Sequence, residues 1–181
     1  MPEIHRRWAA DHEAFASEAN SHVRRRAALA ASFIRPGTRV LDLGCGAMIL
    51  RDRLPEGCAY TPSDVWKRHP EIVVANLNER VFPEGEWDIV AMLGVIEYLE
   101  DPSWVLRTAR ARARNLLITC PLWPIVNAYN IRHPEARAQV NYFRRADFIS
   151  LLKRAGWRVT QNRRVRGRRS WFVDERLFVC A

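Results

Sequence analysis

Lysine is almost missing from this 181-residue chain: of its 29 basic residues only Lys67 and Lys153 are lysine, and the rest are arginine. A surface built to grip nucleic acid ordinarily uses both residues. The net charge of +9 therefore reads first as an arginine-biased composition and second as a binding signal. Cysteine is also scarce. Cys45, Cys58, Cys120 and Cys180 lie far apart, with no C-x-x-C and no Cys/His pair at zinc-ligand spacing. That pattern fits free thiols in a reducing compartment and supplies no metal site. The five histidines are scattered and no H-E-x-x-H occurs, so no metal ligand is assigned. No apolar run nears the ~20 residues of a bilayer span. The first residues, MPEIHRRWAADHEAF, carry acids and histidines and lack the apolar stretch of a secretory signal. The expectation is a cytoplasmic protein with no membrane partner.

What is present is globular. Hydrophobic residues make up 48% and charged residues 27%, which excludes a disordered or fibrous chain. A chain of this size buries roughly 70% of its unfolded surface, enough for a core without staples. One domain over 1–181 is expected, with a helical N-terminal extension at 1–36 and an α/β core at 37–181. Apolar spacing predicts a helix over 11–34, ended by Pro36-Gly37. Strands are predicted at 39–43, 58–62, 72–75, 87–93, 116–120, 157–161 and 171–179. Helices are predicted at 47–54, 102–112 and 145–155, the last capped by Gly156. Strands alternating with helices imply a Rossmann-like, doubly wound, mostly parallel seven-stranded sheet. The last two strands lack an intervening helix, so the final strand is expected to be antiparallel.

Ligands of such sheets sit at the carboxyl ends of the strands, where strand order reverses. The first strand ends in Asp42-Leu43-Gly44-Cys45-Gly46. Glycine there lets backbone approach a ligand closely, and the helix predicted after it would offer unpaired N–H groups. The second strand ends near Asp64, 22 residues beyond Asp42, where a carboxylate accepts from both hydroxyls of a ribose. Ile49 stands where a dinucleotide fingerprint needs its third glycine, and no phosphate-binding loop follows. An acidic Asp42 would repel phosphate and suits a ligand bearing an ammonium group.

Val40 to Gly46, VLDLGCG, resembles the first motif of class I S-adenosylmethionine-dependent methyltransferases. Four further blocks follow in order: Asp64; Asn76-Leu77-Asn78; Trp87 to Pro102, including LGVIEYLEDP; and Asn141-Tyr142-Phe143 with Ala155-Gly156-Trp157. The resemblance covers residues 39 to 181 and implies S-adenosylmethionine as cofactor. It implies that backbone at Gly44, Cys45 and Gly46 lines the methionyl and ribose parts, that Asp42 meets the ammonium, and that Asp64 holds the ribose. Asn76 and Leu77 would hold the adenine edge, and Leu93 and Gly94 would line the space near the sulfonium. Glu97 and Tyr98 would border the acceptor and are the catalytic candidates. The expected activity is methyl transfer to oxygen or nitrogen of a small-molecule or glycan-type acceptor. An RNA methyltransferase using the arginine-rich end, or a non-catalytic domain of the same fold, are the alternatives. Three departures from the family pattern stand out: Met48 where a further glycine is common, a short crossover over Val65 to Glu71, and Tyr98 where histidine often follows the glutamate. Trp8, Trp123 and Tyr129 admit a reading as an aromatic substrate wall, with plain burial the stronger reading.

Overall fold

The computed structural model describes residues 21–123, 139–165 and 174–181. Seven strands form one sheet: β1 Arg39–Leu43, β2 Ala59–Asp64, β3 Val73–Val74, β4 Trp87–Leu93, β5 Ala113–Leu122, β6 Val159–Arg164 and β7 Asp174–Cys180. Among the described residues three helices accompany them: α1 Ser21–Ala31, α2 Pro102–Arg112 and α3 Arg145–Arg154. The strand order is β3-β2-β1-β4-β5-β7-β6. β1 pairs in parallel with both β2 and β4, and β4 in parallel with β5. β7 is antiparallel to β5 and β6. Strand order thus reverses between β1 and β4, and the carboxyl ends of these two strands frame the crevice.

The alternation of side chains along each strand builds two cores. Leu41, Leu43, Val90 and Met92 face one way, onto Val105, Leu106 and Ala109 of α2 and Phe148, Leu151 and Leu152 of α3. Val40, Ile89, Ala91 and Leu117 face the other way, onto Ala27 and Ala30 of α1 and onto Ile34. Burial on both faces explains why β4 and β5 read as nearly continuous apolar runs. Local chemistry sets the helix ends. The Asp101 carboxylate accepts from Trp104 N–H at 3.0 Å and Pro102 opens α2, so Asp101 starts a helix. α3 ends where Gly156 takes φ +88°, with Gly156 N–H donating to Lys153 C=O and Trp157 N–H to Leu152 C=O.

The expected helix over 47–54 does not form. Only a 3-10 turn, Arg51–Arg53, stands between β1 and β2. Gly46 (φ +52°) and Met48 (φ +56°) both lie in the left-handed region, which a right-handed helix cannot include. Strand limits also move. β3 shrinks to Val73–Val74 and β2 shifts one residue later and runs to Asp64. β5 runs through Pro121, because its ladder with β4 ends at Thr119 and the missing N–H costs no bond there. β6 begins only at Val159, since Trp157 is buried instead, its Nε1–H donating to Leu106 C=O and its ring under Arg110. The predicted helix over 11–34 is described from Ser21 and ends at Ala31, with a turn in which Phe33 N–H donates to Ala30 C=O. Its residues 11–20, and strand residues 171–173, lie outside the described residues, as do Trp8 and Tyr129. Among the described residues no helix is long and apolar enough to cross a membrane, and no three metal-binding side chains cluster.

Candidate active site

The loop after β1 is held against the end of β2 by backbone alone. Gly44 N–H and Cys45 N–H both donate to Ser63 C=O, at 2.7 and 3.0 Å. Gly44 takes φ +70°, and an added Cβ there would overlap a methyl group of Val95, so only glycine fits. Nothing lies within 4 Å of the equivalent point on Gly46, so the loop is open there. Cys45 turns its side chain inward onto Met48, Ile72 and Tyr60, which leaves only its backbone for a ligand. Burial and the nearby Asp42 and Asp64 charges push its thiol well above the usual range.

Asp42 is 3% exposed and accepts from the Tyr60 hydroxyl at 2.7 Å. Burial pushes its carboxyl up to about 7; the Tyr60 bond and Arg26 oppose that rise and Asp64 adds to it. Asp64, at the end of the neighbouring strand, accepts from Gly46 N–H at 2.9 Å through one oxygen and from Trp66 N–H at 3.1 Å through the other. Arg68 lies 3.9 Å away. Asp64 is thereby fixed in orientation. Each oxygen accepts more than one hydrogen bond, so capacity for a diol remains.

Asn76 caps the 3-10 turn Leu77–Glu79, its side-chain oxygen accepting from Asn78 N–H at 3.2 Å. Leu77 packs on the main core. Asn78, quoted in the sequence only as a motif member, is a strut: its amide donates to Tyr98 C=O and accepts from Glu100 N–H. Leu93 packs beside the α1-side core, and Gly94 (φ +78°) follows it. The Arg26 guanidinium lies so close over Gly94 that a Cβ would overlap it.

Glu97 and Tyr98 stand on the 3-10 turn Ile96–Tyr98. The turn is gripped by the chain before α3. Val140 and Asn141 N–H donate to Glu97 C=O, and the Asn141 side-chain amide donates to Leu99 C=O at 2.6 Å and Ile96 C=O at 3.3 Å. Burial raises the Glu97 carboxyl to about 7, opposed by a bond from its own backbone amide and by Arg26. Burial and the Glu97 charge raise the Tyr98 hydroxyl well above its usual range, against a hydrogen bond with Gln139.

Sequence reasoning missed a charged cluster here. Glu175 of β7 takes a hydrogen bond from His22 and a 3.2 Å ion pair from Arg26, both on α1. Burial alone would raise the Glu175 carboxyl, but His22 and Arg26 together hold it below the usual range. Arg26 was legible only as one of three consecutive arginines, and no local signal marks which of them turns inward. The arginine-rich end is partly self-compensated. Arg164 and Arg176 both pair with Asp174, at 3.0 and 2.7 Å, and Arg166, Arg168 and Arg169 lie outside the described residues.

The crevice suits an adenosyl sulfonium amino acid. Gly46 leaves the loop open, Val95 and Arg26 lie against Gly44 and Gly94, Asp42 is a buried acid suited to an ammonium, and Asp64 stands oriented one strand away. A methyltransferase-domain family model matches residues 11–162, and the chain belongs to that family of S-adenosylmethionine-dependent methyltransferases. No curated protein matches the sequence. Solved structures share the fold. A SAM-dependent methyltransferase of Thermotoga maritima is 13% identical, with 99% of each chain covered and a TM-score of 0.66. Magnesium protoporphyrin IX methyltransferase of Synechocystis PCC 6803, crystallised with bound S-adenosylhomocysteine, is 18% identical, with 86% of this chain and 78% of that one covered and a TM-score of 0.61. The 4+2 cyclase SpnF is 13% identical, with 87% and 79% covered and a TM-score of 0.67.

Proposed function

We propose that this protein transfers a methyl group from S-adenosylmethionine to an oxygen or nitrogen of a small-molecule or glycan-type acceptor. The observation that carries this reading is the convergence of Asp42 and Asp64 on one glycine loop: Gly46 N–H bonds Asp64 directly, and Asp42 lies two residues before Gly44. When bound, the cofactor supplies an electrophilic methyl on a sulfur that leaves without assistance.

What this chain's residues do is hold and orient. Asp42 takes the ammonium, and backbone at Gly44, Cys45 and Gly46 lies along the methionyl and ribose parts. Asp64 accepts from the ribose hydroxyls. Asn76 and backbone at Leu77 border the adenine, with the Asn76 oxygen already engaged by its turn. Leu93 and Gly94 line the sulfonium side. Arg26, drawn over Gly94 from α1 and paired with Glu175, stands on the same side. Glu97 and Tyr98 border the acceptor. Fixing nucleophile, methyl and sulfur in line supplies most of the acceleration in such a transfer.

Calorimetric titration with S-adenosylhomocysteine tests the reading. The wild-type chain binds it. Asp64→Ala removes two hydrogen bonds to a charged acceptor, each worth roughly 1.5–3 kcal/mol, so affinity falls about a hundredfold to ten-thousandfold. Unchanged affinity in the variant removes Asp64 from the site.

A further inference from the structure

The rim of the sheet beyond Gly94 carries more buried acid than buried cation. Glu97 is only 4% exposed, yet its Oε2 has no hydrogen-bond partner among the described residues. Other buried polar atoms share that condition, and two of them lie in segments that touch this turn. One is the hydroxyl of Thr119, on the β5 residue that pairs with Leu93; the other is the hydroxyl of Tyr142, next in the chain to the Asn141 that grips the Glu97 turn. Buried polar groups without partners are rare, because each costs about 1–3 kcal/mol. A buried carboxylate oxygen without a partner, with such hydroxyls in two segments that touch its turn, marks a place where a ligand completes the bonding.

Charge narrows the ligand. Arg26 is engaged by Glu175, which also holds His22. In the reading proposed above the cofactor's ammonium answers Asp42. Glu97 is then left as a buried acid with no countercharge of its own. Resting on that reading, we propose that the methyl acceptor is a small primary or secondary amine that binds with its nitrogen at Glu97, within reach of the Thr119 and Tyr142 hydroxyls. An alcohol would satisfy the orphan oxygen but leave the charge unanswered. A carboxylate would meet Glu97, Glu175 and Asp42 at once.

The chemistry balances. The ammonium of the bound amine passes one proton to the Glu97 carboxylate, which frees the nitrogen lone pair. That pair forms the new N–CH3 bond as the C–S bond breaks and its electrons pass to sulfur. The nitrogen then carries the positive charge the sulfur held. Burial pushes the Glu97 carboxyl up to about 7, with its own backbone amide and Arg26 of α1 lowering it and Glu175 of β7 raising it. Tyr98 beside it and Cys120 of β5 are both held protonated by burial, so neither competes for the proton.

The test uses the full chain saturated with S-adenosylhomocysteine, after its binding has been measured. Phenethylamine, 2-phenylethanol and phenylacetate are then titrated in separately at neutral pH. The amine binds at least about tenfold more tightly than either counterpart, the factor of one well-placed charged contact. Glu97→Gln abolishes the preference, and Tyr142→Phe weakens amine binding severalfold with the acid intact. An alcohol or carboxylate that binds as well as the amine, a preference that survives Glu97→Gln, or no amine binding at millimolar concentration overturns the inference. Failure of the wild-type chain to bind S-adenosylhomocysteine is a separate result that sinks the cofactor reading itself, and this inference with it.

Discussion

Raising the pH from 6 to 8 is expected to tighten binding of S-adenosylhomocysteine about tenfold, through one residue. Asp42 is buried, and its carboxyl titrates at about 7 despite the Tyr60 hydroxyl bond. To meet an ammonium it must be ionised. With a pKa near 7, about a tenth of the protein has Asp42 ionised at pH 6 and about nine tenths at pH 8. The bound ammonium stabilises the ionised form, so binding releases a proton where the free protein holds one, and affinity rises with pH. The factor of about ten corresponds to roughly 1.4 kcal/mol. Calorimetry in two buffers of different ionisation enthalpy counts the released protons directly. Asp42→Asn keeps an oxygen for the Tyr60 hydroxyl and removes the titration, so its weaker binding varies little with pH. Stability moves the opposite way. The folded pKa lies above the unfolded value of about 3.9, so Asp42 costs the fold nothing below that value. Its cost grows as pH rises toward 7 and is complete above it. Asp42→Asn is therefore more stabilising at pH 8 than at pH 4. Wild-type binding that is flat between pH 6 and 8, with no proton released, refutes this account of Asp42.

Gly44→Ala forces a side chain into left-handed backbone against Val95; urea unfolding shows a loss of about 1–3 kcal/mol from the backbone alone, and cofactor affinity falls with it. Met48→Gly relieves roughly 1–2 kcal/mol of left-handed strain but removes a buried side chain worth about 1.5–3 kcal/mol. The net change is a loss of stability, and a rise in melting temperature would show the strain to be the larger quantity. Asn141→Ala deletes the amide that grips the Glu97 turn through Ile96 and Leu99. It lowers stability by about 1–3 kcal/mol, and hydrogen exchange speeds up in that turn more than in β4.

Legibility in the sequence followed the range of the forces involved. β4 and α2 were read to the residue because their signals are local: an apolar run bounded by Gly85 and Gly94, and Asp101-Pro102 at a helix start. The sheet class and antiparallel β7 followed from element order. The missing helix after β1 was not legible. Ala47, Leu50 and Leu54 have helical spacing, and only the backbone reveals that Gly46 and Met48 turn left-handed. The Met48 departure is explained the same way. The chain keeps the backbone that favours glycine and uses the side chain to cover Cys45 and Ile72. The Arg26–Glu175–His22 cluster joins residues about 150 apart in the chain, and no spacing rule reaches that far.

The absent helix also bears on what the crevice binds. A helix N-terminus would place partial positive charge and free N–H groups behind the loop, which is how related folds hold phosphate. Here three residues of 3-10 turn replace it, and the loop's own N–H groups are spent: Gly44 and Cys45 on Ser63 C=O, Gly46 on Asp64. The remaining electrostatics are mainly those of buried carboxyls at Asp42, Asp64 and Glu97, with Arg68 3.9 Å from Asp64 and Arg26 engaged by Glu175. Such a rim disfavours a pyrophosphate and favours a ligand that brings cations. S-adenosylmethionine brings two, a sulfonium and an ammonium, against one carboxylate. The 3-10 turn between β1 and β2 thus leaves no helix N-terminus behind the loop, while Asp42 and Asp64 keep their places at the strand ends.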